Sequence, residues 1–148
     1  MSDANAERGY TITRAYDAPR DLVWKALTEP DQFAQWFGSP GTKWENLTMD
    51  VRTGGSWSGT MVVPDGPRIP WHGHYVEVME PERLVIGVTD QEGSTDYELL
   101  TITLTDRGDT TELVLRQSGG HLSDDEYGEA EKGTASFLDN LGELLSGR

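Results

Sequence analysis

Two of the chain's three histidines, His72 and His74, stand in the stretch "PWHGHY", Pro70 to Tyr75. Imidazoles are common metal ligands, and they titrate nearest to neutral pH. At i,i+2 on a strand, both rings project to the same side. That placement suits two chemistries: half of a metal site, or a general base in the wall of a pocket. A metal needs at least a third ligand. Glu77 is the nearest carboxylate ahead, but strict strand alternation puts it across the sheet from His74. His121 is remote in sequence and reaches the pair only by folding. We therefore expect no metal and no cofactor. The histidines are read as polar members of a cavity wall, with Tyr75 offering a hydroxyl to a ligand or to backbone.

Other chemistries leave fainter traces. Glu77 and Glu98 are acids inside apolar strands. Facing a cavity, either would have a raised pKa and could move protons; facing outward, each is merely solvated. "TGGSWSG" is glycine-rich but leads into a strand, so it lacks the helix N-terminus that cradles phosphate. No G-x-S-x-G elbow occurs, and Ser56 and Ser58 have no evident activating base. There is no cysteine, hence no disulfide, thiolate site or thiol nucleophile. No residue is assigned a catalytic role.

The 148 residues suit one core, expected over 9–146 with a flexible tail at 1–8. No apolar run reaches the ~20 residues of a membrane helix, and the polar start lacks a signal peptide's apolar centre. A soluble, cytoplasmic protein without membrane insertion is expected. The net charge is −14, divided as −4 over residues 1–89 and −10 over 90–148. Such a surface repels phosphate backbones and anionic lipid, so no nucleic-acid partner is expected.

The elements that must hold these residues are legible. "YTITRAY" alternates as a strand. "DAPRDLVWKALTEP" reads as a short helix, with Asp17 able to cap it and Pro19 in its first turn. Pro30 ends that helix and opens another, placing Phe33, Trp36 and Phe37 on one face. From Lys43 the period changes to two, and about six strands follow with short links, an antiparallel meander. Gly54, Gly55 and Gly59 mark a sharply bent region beside Trp57 and Met61. Arg52 and Arg83 are expected to brace turns through Asp50 and Glu82. Ser123 and Glu126 form a capping box before a long helix, with Leu122 and Tyr127 as a staple. Its stripe runs through Tyr127, Ala130, Thr134, Phe137, Leu141 and Leu144, flanked by Leu138 and Leu145. One helix covers a seven-stranded sheet only if the sheet bends around it.

"APRDLVWKALTEPDQFAQWF", "MDVRTGGSW" and "GHYVEVMEPERLV" together resemble the activator-of-heat-shock-protein-90-ATPase homologues. That family belongs to the START-like helix-grip superfamily, with birch-pollen-allergen-like and polyketide-cyclase-like proteins. The resemblance spans Tyr10 to Leu145. It implies an α+β helix-grip fold: a curved antiparallel sheet of about seven strands around the C-terminal helix, with two short helices after the first strand. It does not imply one activity, because one such cavity serves many ends. Family members often carry Gly-Trp midway along the last helix. Here the pair is Gly133-Thr134, so a bulky lid is missing. The eukaryotic co-chaperone is a larger protein with an additional N-terminal domain; this chain is expected to be the START-like domain alone, so regulation of a heat-shock ATPase is not implied.

The expected function is binding of a small hydrophobic or amphipathic molecule between helix and sheet. The lining is expected from Trp36, Phe37, Trp57, Met61, His72, His74, Tyr75, Thr134, Phe137, Leu138 and Leu141. A cyclase-like or hydrolase-like enzyme and a chaperone-related or stress-related interaction domain are the alternatives. Pairing of two chains through a sheet edge is left open.

Overall fold

The computed structural model describes residues 9–38, 41–89, 97–119 and 123–146. The tail, His121 and Leu122, and with Leu122 the proposed staple, lie outside the described residues. Seven strands are present: β1 Tyr10–Tyr16, β2 Lys43–Met49, β3 Ser56–Val62, β4 Arg68–Met79, β5 Arg83–Thr89, β6 Glu98–Asp106 and β7 Thr111–Gly119. The helices are α1 Arg20–Thr28, α2 Pro30–Trp36 and α3 Asp124–Ser146. All neighbouring strands run antiparallel in the order β1-β7-β6-β5-β4-β3-β2. This is the α+β helix-grip arrangement that the alternating pattern and the resemblance imply.

Period-two burial sets the faces. Ile86, Val88, Leu100, Ile102, Leu113 and Leu115 turn toward α3 and are buried. Register shifts interrupt β2 between Glu45 and Thr48, and β4 between Tyr75 and Glu77. Such bulges increase local twist and bend the strand. The one in β4 leaves Val76 unpaired and exposed, and it restarts the alternation one residue late. Glu77 therefore shares a face with His74 rather than opposing it, as unbroken alternation had implied. Its carboxylate accepts from Arg83 Nε at 3.2 Å, so Arg83 braces through Glu77 and not through Glu82. Arg52 meets Asp50 at 2.9 Å as expected.

Pro19, not Asp17, occupies the N-cap of α1, and its carbonyl accepts from Leu22 and Val23 at 3.0 and 3.2 Å. Pro30 opens α2, where its missing N–H costs nothing. Trp36 ties the two helices by donating its indole N–H to the Ala26 carbonyl at 2.7 Å. The capping box of α3 forms as expected: Ser123 N donates to Glu126 Oε1 at 2.9 Å, and Glu126 N to Ser123 Oγ at 3.2 Å. The deepest face of α3 is Tyr127, Leu138, Leu141 and Leu145, while Ala130, Phe137 and Leu144 lie at its margin. Tyr16 pins the helix to β1 by donating to the Leu138 carbonyl at 2.8 Å.

The glycines of α3 separate into two kinds. A methyl group at Gly128 or Gly133 would meet nothing within 4 Å, whereas one at Gly142 would sit 3.3 Å from the Tyr16 ring. Alanine recovers about 1 kcal/mol of helix propensity where space is free. Gly128→Ala and Gly133→Ala should each stabilise by about that amount in urea unfolding. Gly142→Ala should gain nothing, because the pinned Tyr16 ring must move.

Candidate functional site

The hollow between α3 and the sheet is nearly filled. Enclosed space amounts to about 20 Å³, bordered by Phe33, Trp36, Phe37, Trp57, Tyr75 and Phe137 among others. That is room for about one water. Aromatic rings close it: Phe33 stacks on Phe37 at 4.8 Å, meets Trp57 at 6.0 Å, and Phe37 meets Phe137 at 5.0 Å. These contacts leave little free space at the centre of the interface between helix and sheet.

The larger space is an open groove of about 510 Å³ between the first half of α3 and the inner face of β4–β7. Phe37, Trp71, Val88, Leu100, Ala130 and Phe137 form its apolar walls. Glu98, Gln117 and Thr134 supply polar groups, and Asp125, Glu126 and Glu129 line it from the start of α3. Gly133 also lines it, so the backbone of α3 is bare there. A second opening of similar size, between α2 and α3, is lined by Gln35, Thr42, Asn140 and Glu143 and is more polar. Asn140 crosses it, donating to the Gly38 carbonyl at 3.0 Å.

A short hydrogen-bonded chain runs along the groove. Tyr10 donates its hydroxyl to Gln117 Oε1, so the Thr134 hydroxyl, 2.7 Å from Tyr10 Oη, is the donor to it. Burial is the main cause that raises the Tyr10 pKa from 10.0 to about 12, with a smaller opposing effect from Thr134. Burial also raises Tyr16 and Tyr75 well above the ordinary phenol value. A phenol whose folded pKa exceeds its unfolded pKa stabilises fully below the unfolded value and progressively less above it. Thermal stability should therefore hold to about pH 10 and fall steeply toward pH 12. Tyr10→Phe should soften that fall in melting curves recorded across this range.

The expected lining residues divide. Phe37, Thr134 and Phe137 line both the enclosed space and the groove, while Trp36, Trp57 and Tyr75 border the enclosed space alone. Met61, Leu138 and Leu141 are buried core that borders neither space. His72 and His74 are corrected: they stand on the outer face, paired with Ser58 and Ser56, while Gly73 and Tyr75 turn inward. Alternation forbids His74 and Tyr75 from sharing a wall. Outside, both histidines meet the Tyr97 ring edge-on, at 5.8 and 4.8 Å. Among the described residues, no group of three or more His, Asp or Glu could hold a metal ion. No described helix is long and apolar enough to cross a membrane.

Trp71 is among the groove residues that were not expected to line a site. It shares parity with Gly73 and Tyr75, a signal present in the sequence. Its Nε1–H is buried and, among the described residues, is the one buried side-chain polar atom without a hydrogen-bond partner.

A family model described as "Activator of Hsp90 ATPase homolog 1-like protein" matches residues 17–146. Solved proteins share the architecture. One from Chromobacterium violaceum is 23% identical, with a TM-score of 0.81 over 93% of this chain and 96% of its own. One from Nitrosomonas europaea is 24% identical, with a TM-score of 0.80 over 98% of each chain. One from Arthrobacter aurescens, solved in solution, is 19% identical, with a TM-score of 0.82 over 99% and 91%. Identities this low speak for the fold. No curated protein matches the chain significantly.

Proposed function

Because the chain belongs to the family of Activator of Hsp90 ATPase homolog 1-like proteins, we propose that it is a binding module for a small amphipathic molecule, seated in the groove beside the first half of α3. The observation that carries this reading is the groove itself: about 510 Å³, apolar walls, and a few convergent polar side chains. Small-molecule sites have that size and composition. The tail of the ligand lies against Phe37, Val88, Leu100 and Phe137, and its polar end meets Glu98, Gln117 and Thr134. The ligand does not enter the deep hollow, where about 20 Å³ is free. Thr134, at the position where the resemblance leads one to expect tryptophan, keeps the groove open.

Each buried methylene contributes about 0.8 kcal/mol at most. Affinity for straight-chain alcohols should therefore rise about threefold per carbon until the groove is full. Ligand at 100 times its Kd stabilises the folded state by about 2.7 kcal/mol, a readable rise in Tm. Gly133→Phe directs a ring into open space and should abolish the rise while leaving the free protein folded. No rise for any alcohol, or an equal rise in Gly133→Phe, would refute the reading.

A further inference from the structure

We propose that the ligand's polar end carries a neutral carbonyl oxygen, as in a ketone, ester or amide, and that the Gln117 side-chain amide donates to it; this rests on the groove being the binding site. Gln117 lines the groove and has only 6% exposure. Alternation sets it on the face that Leu113 and Leu115 occupy, and it pairs with Leu100 on β6 and Tyr10 on β1. A polar side chain at such a position costs free energy unless its groups are paired. Half of this one is paired: Oε1 accepts from the Tyr10 hydroxyl. The amide nitrogen has no hydrogen-bond partner among the described residues, yet it is not sealed from solvent as the Trp71 nitrogen is. The open space that Gln117 borders is the groove.

The orientation of that amide is set by two other elements. Thr134 on α3 donates to Tyr10 Oη at 2.7 Å, and Tyr10 on β1 donates onward to Gln117 Oε1. A glutamine held by its oxygen on one side presents its nitrogen on the other. The plainest competing account is that Gln117 serves only as the acceptor that buried Tyr10 needs. Packing does not require the pair, because replacing both partners of a buried hydrogen bond by apolar groups of the same shape is nearly neutral. What the pair adds is an N–H donor of fixed direction in an otherwise apolar wall. Functional sites are where the rule for such a wall is broken.

The tryptophans point the same way. Trp36, Trp44 and Trp57 each donate the indole N–H to a backbone carbonyl, at 2.7, 2.9 and 3.1 Å. Trp71, on the groove wall, has no partner for its N–H among the described residues. Both it and the Gln117 amide are donors, so the atom that complements them is an acceptor. A neutral carbonyl oxygen accepts and brings no donor of its own. A hydroxyl brings an O–H that must be paired in turn. A carboxylate has about four acceptor sites to fill. Desolvating its charge also costs far more than desolvating a neutral oxygen, and one amide nitrogen does not offset that cost.

The test compares octan-2-one, octan-2-ol and octanoate in titrations followed by nitrogen–proton correlation spectra. The ketone should bind about three- to tenfold tighter than the alcohol, the worth of one hydrogen bond. Octanoate should bind weakest. The side-chain amide signals of Gln117, assigned from its backbone, should shift as the ketone binds. The double variant Tyr10→Phe/Gln117→Met removes both partners together, so it should stay folded and bind ketone and alcohol equally. Equal affinities in the unaltered protein, tightest binding of octanoate, or amide signals that stay in place while the ketone binds would overturn the carbonyl assignment and leave the groove as a binding site. Tighter binding of the alcohol would mean that the amide turns its oxygen to the groove, and would overturn the assignment as well. A double variant that keeps the preference for the ketone would place the donor elsewhere, with the same consequence. Binding of none of the three would overturn both the assignment and the groove as a binding site.

Discussion

Gly73→Ala should cost about 3 kcal/mol or more, a large share of the roughly 5–15 kcal/mol that keeps a domain folded. A methyl group at Gly73 would lie 1.7 Å from the Gly87 carbonyl oxygen and 2.8 Å from Trp57 Nε1. Neither can step aside. The carbonyl belongs to β5, the central strand, and it also accepts the Trp57 indole N–H at 3.1 Å. The alanine variant must part β4 from β5, break that hydrogen bond, or both. Gly59→Ala provides the contrast. A methyl there meets side-chain carbons of Trp44 and Leu47 at 2.9 and 3.0 Å, next to the edge strand β2. Those side chains have some freedom, so a loss nearer 1 kcal/mol is expected. Urea unfolding of the two variants would separate the cases, and equal losses would contradict the geometry.

Leu138→Ala should cost 2–5 kcal/mol, the range for a buried leucine whose cavity does not collapse. Leu138 and Leu141 both have 0% exposure, and the backbone of Leu138 is fixed by Tyr16. A helix carrying Gly128, Gly133 and Gly142 has poor intrinsic stability, so packing on this face must hold it. Phe137, one residue away, is only partly buried and lines the groove. Phe137→Ala should lose less stability and more ligand affinity than Leu138→Ala. Chemical denaturation paired with alcohol titration measures both quantities on the same variants. If Leu138→Ala weakened ligand binding as strongly as Phe137→Ala, the assignment of Leu138 to the core would be mistaken.

The fold was legible because local patterns agreed with one another. Alternation in "ELLTITLTDR" and "TTELVLRQ", prolines at 19 and 30, and Ser123 with Glu126 all carry their meaning within a few residues. The site was harder to read, for three physical reasons. A bulge at Val76 is set by pairing with β5, so the reversal that places Glu77 with His74 has no local marker. His74 and Tyr75 are adjacent on one strand, so alternation alone puts them on opposite faces of the sheet. The filling of the hollow depends on how Phe33, Phe37, Trp57 and Phe137 from separate elements meet, and no spacing rule encodes that. Phe37, Thr134 and Phe137, expected to line the space between helix and sheet, also line the groove. Trp71, Gln117 and Gly133 were not expected there, although Gly133 followed by a small residue marked an opening.

The proposed function requires a small amphiphile to sit beside Trp71. Five tryptophans give five indole N–H signals in a nitrogen–proton correlation spectrum, and Trp71→Phe identifies one of them. Titration with decan-1-ol should shift the Trp71 signal progressively and saturably, because Trp71 lines the groove and its N–H lacks a partner among the described residues. The Trp24 signal, from a buried residue on α1, should stay in place. A Trp71 signal that does not move, or a larger shift at Trp24, would show that no amphiphile binds in the groove.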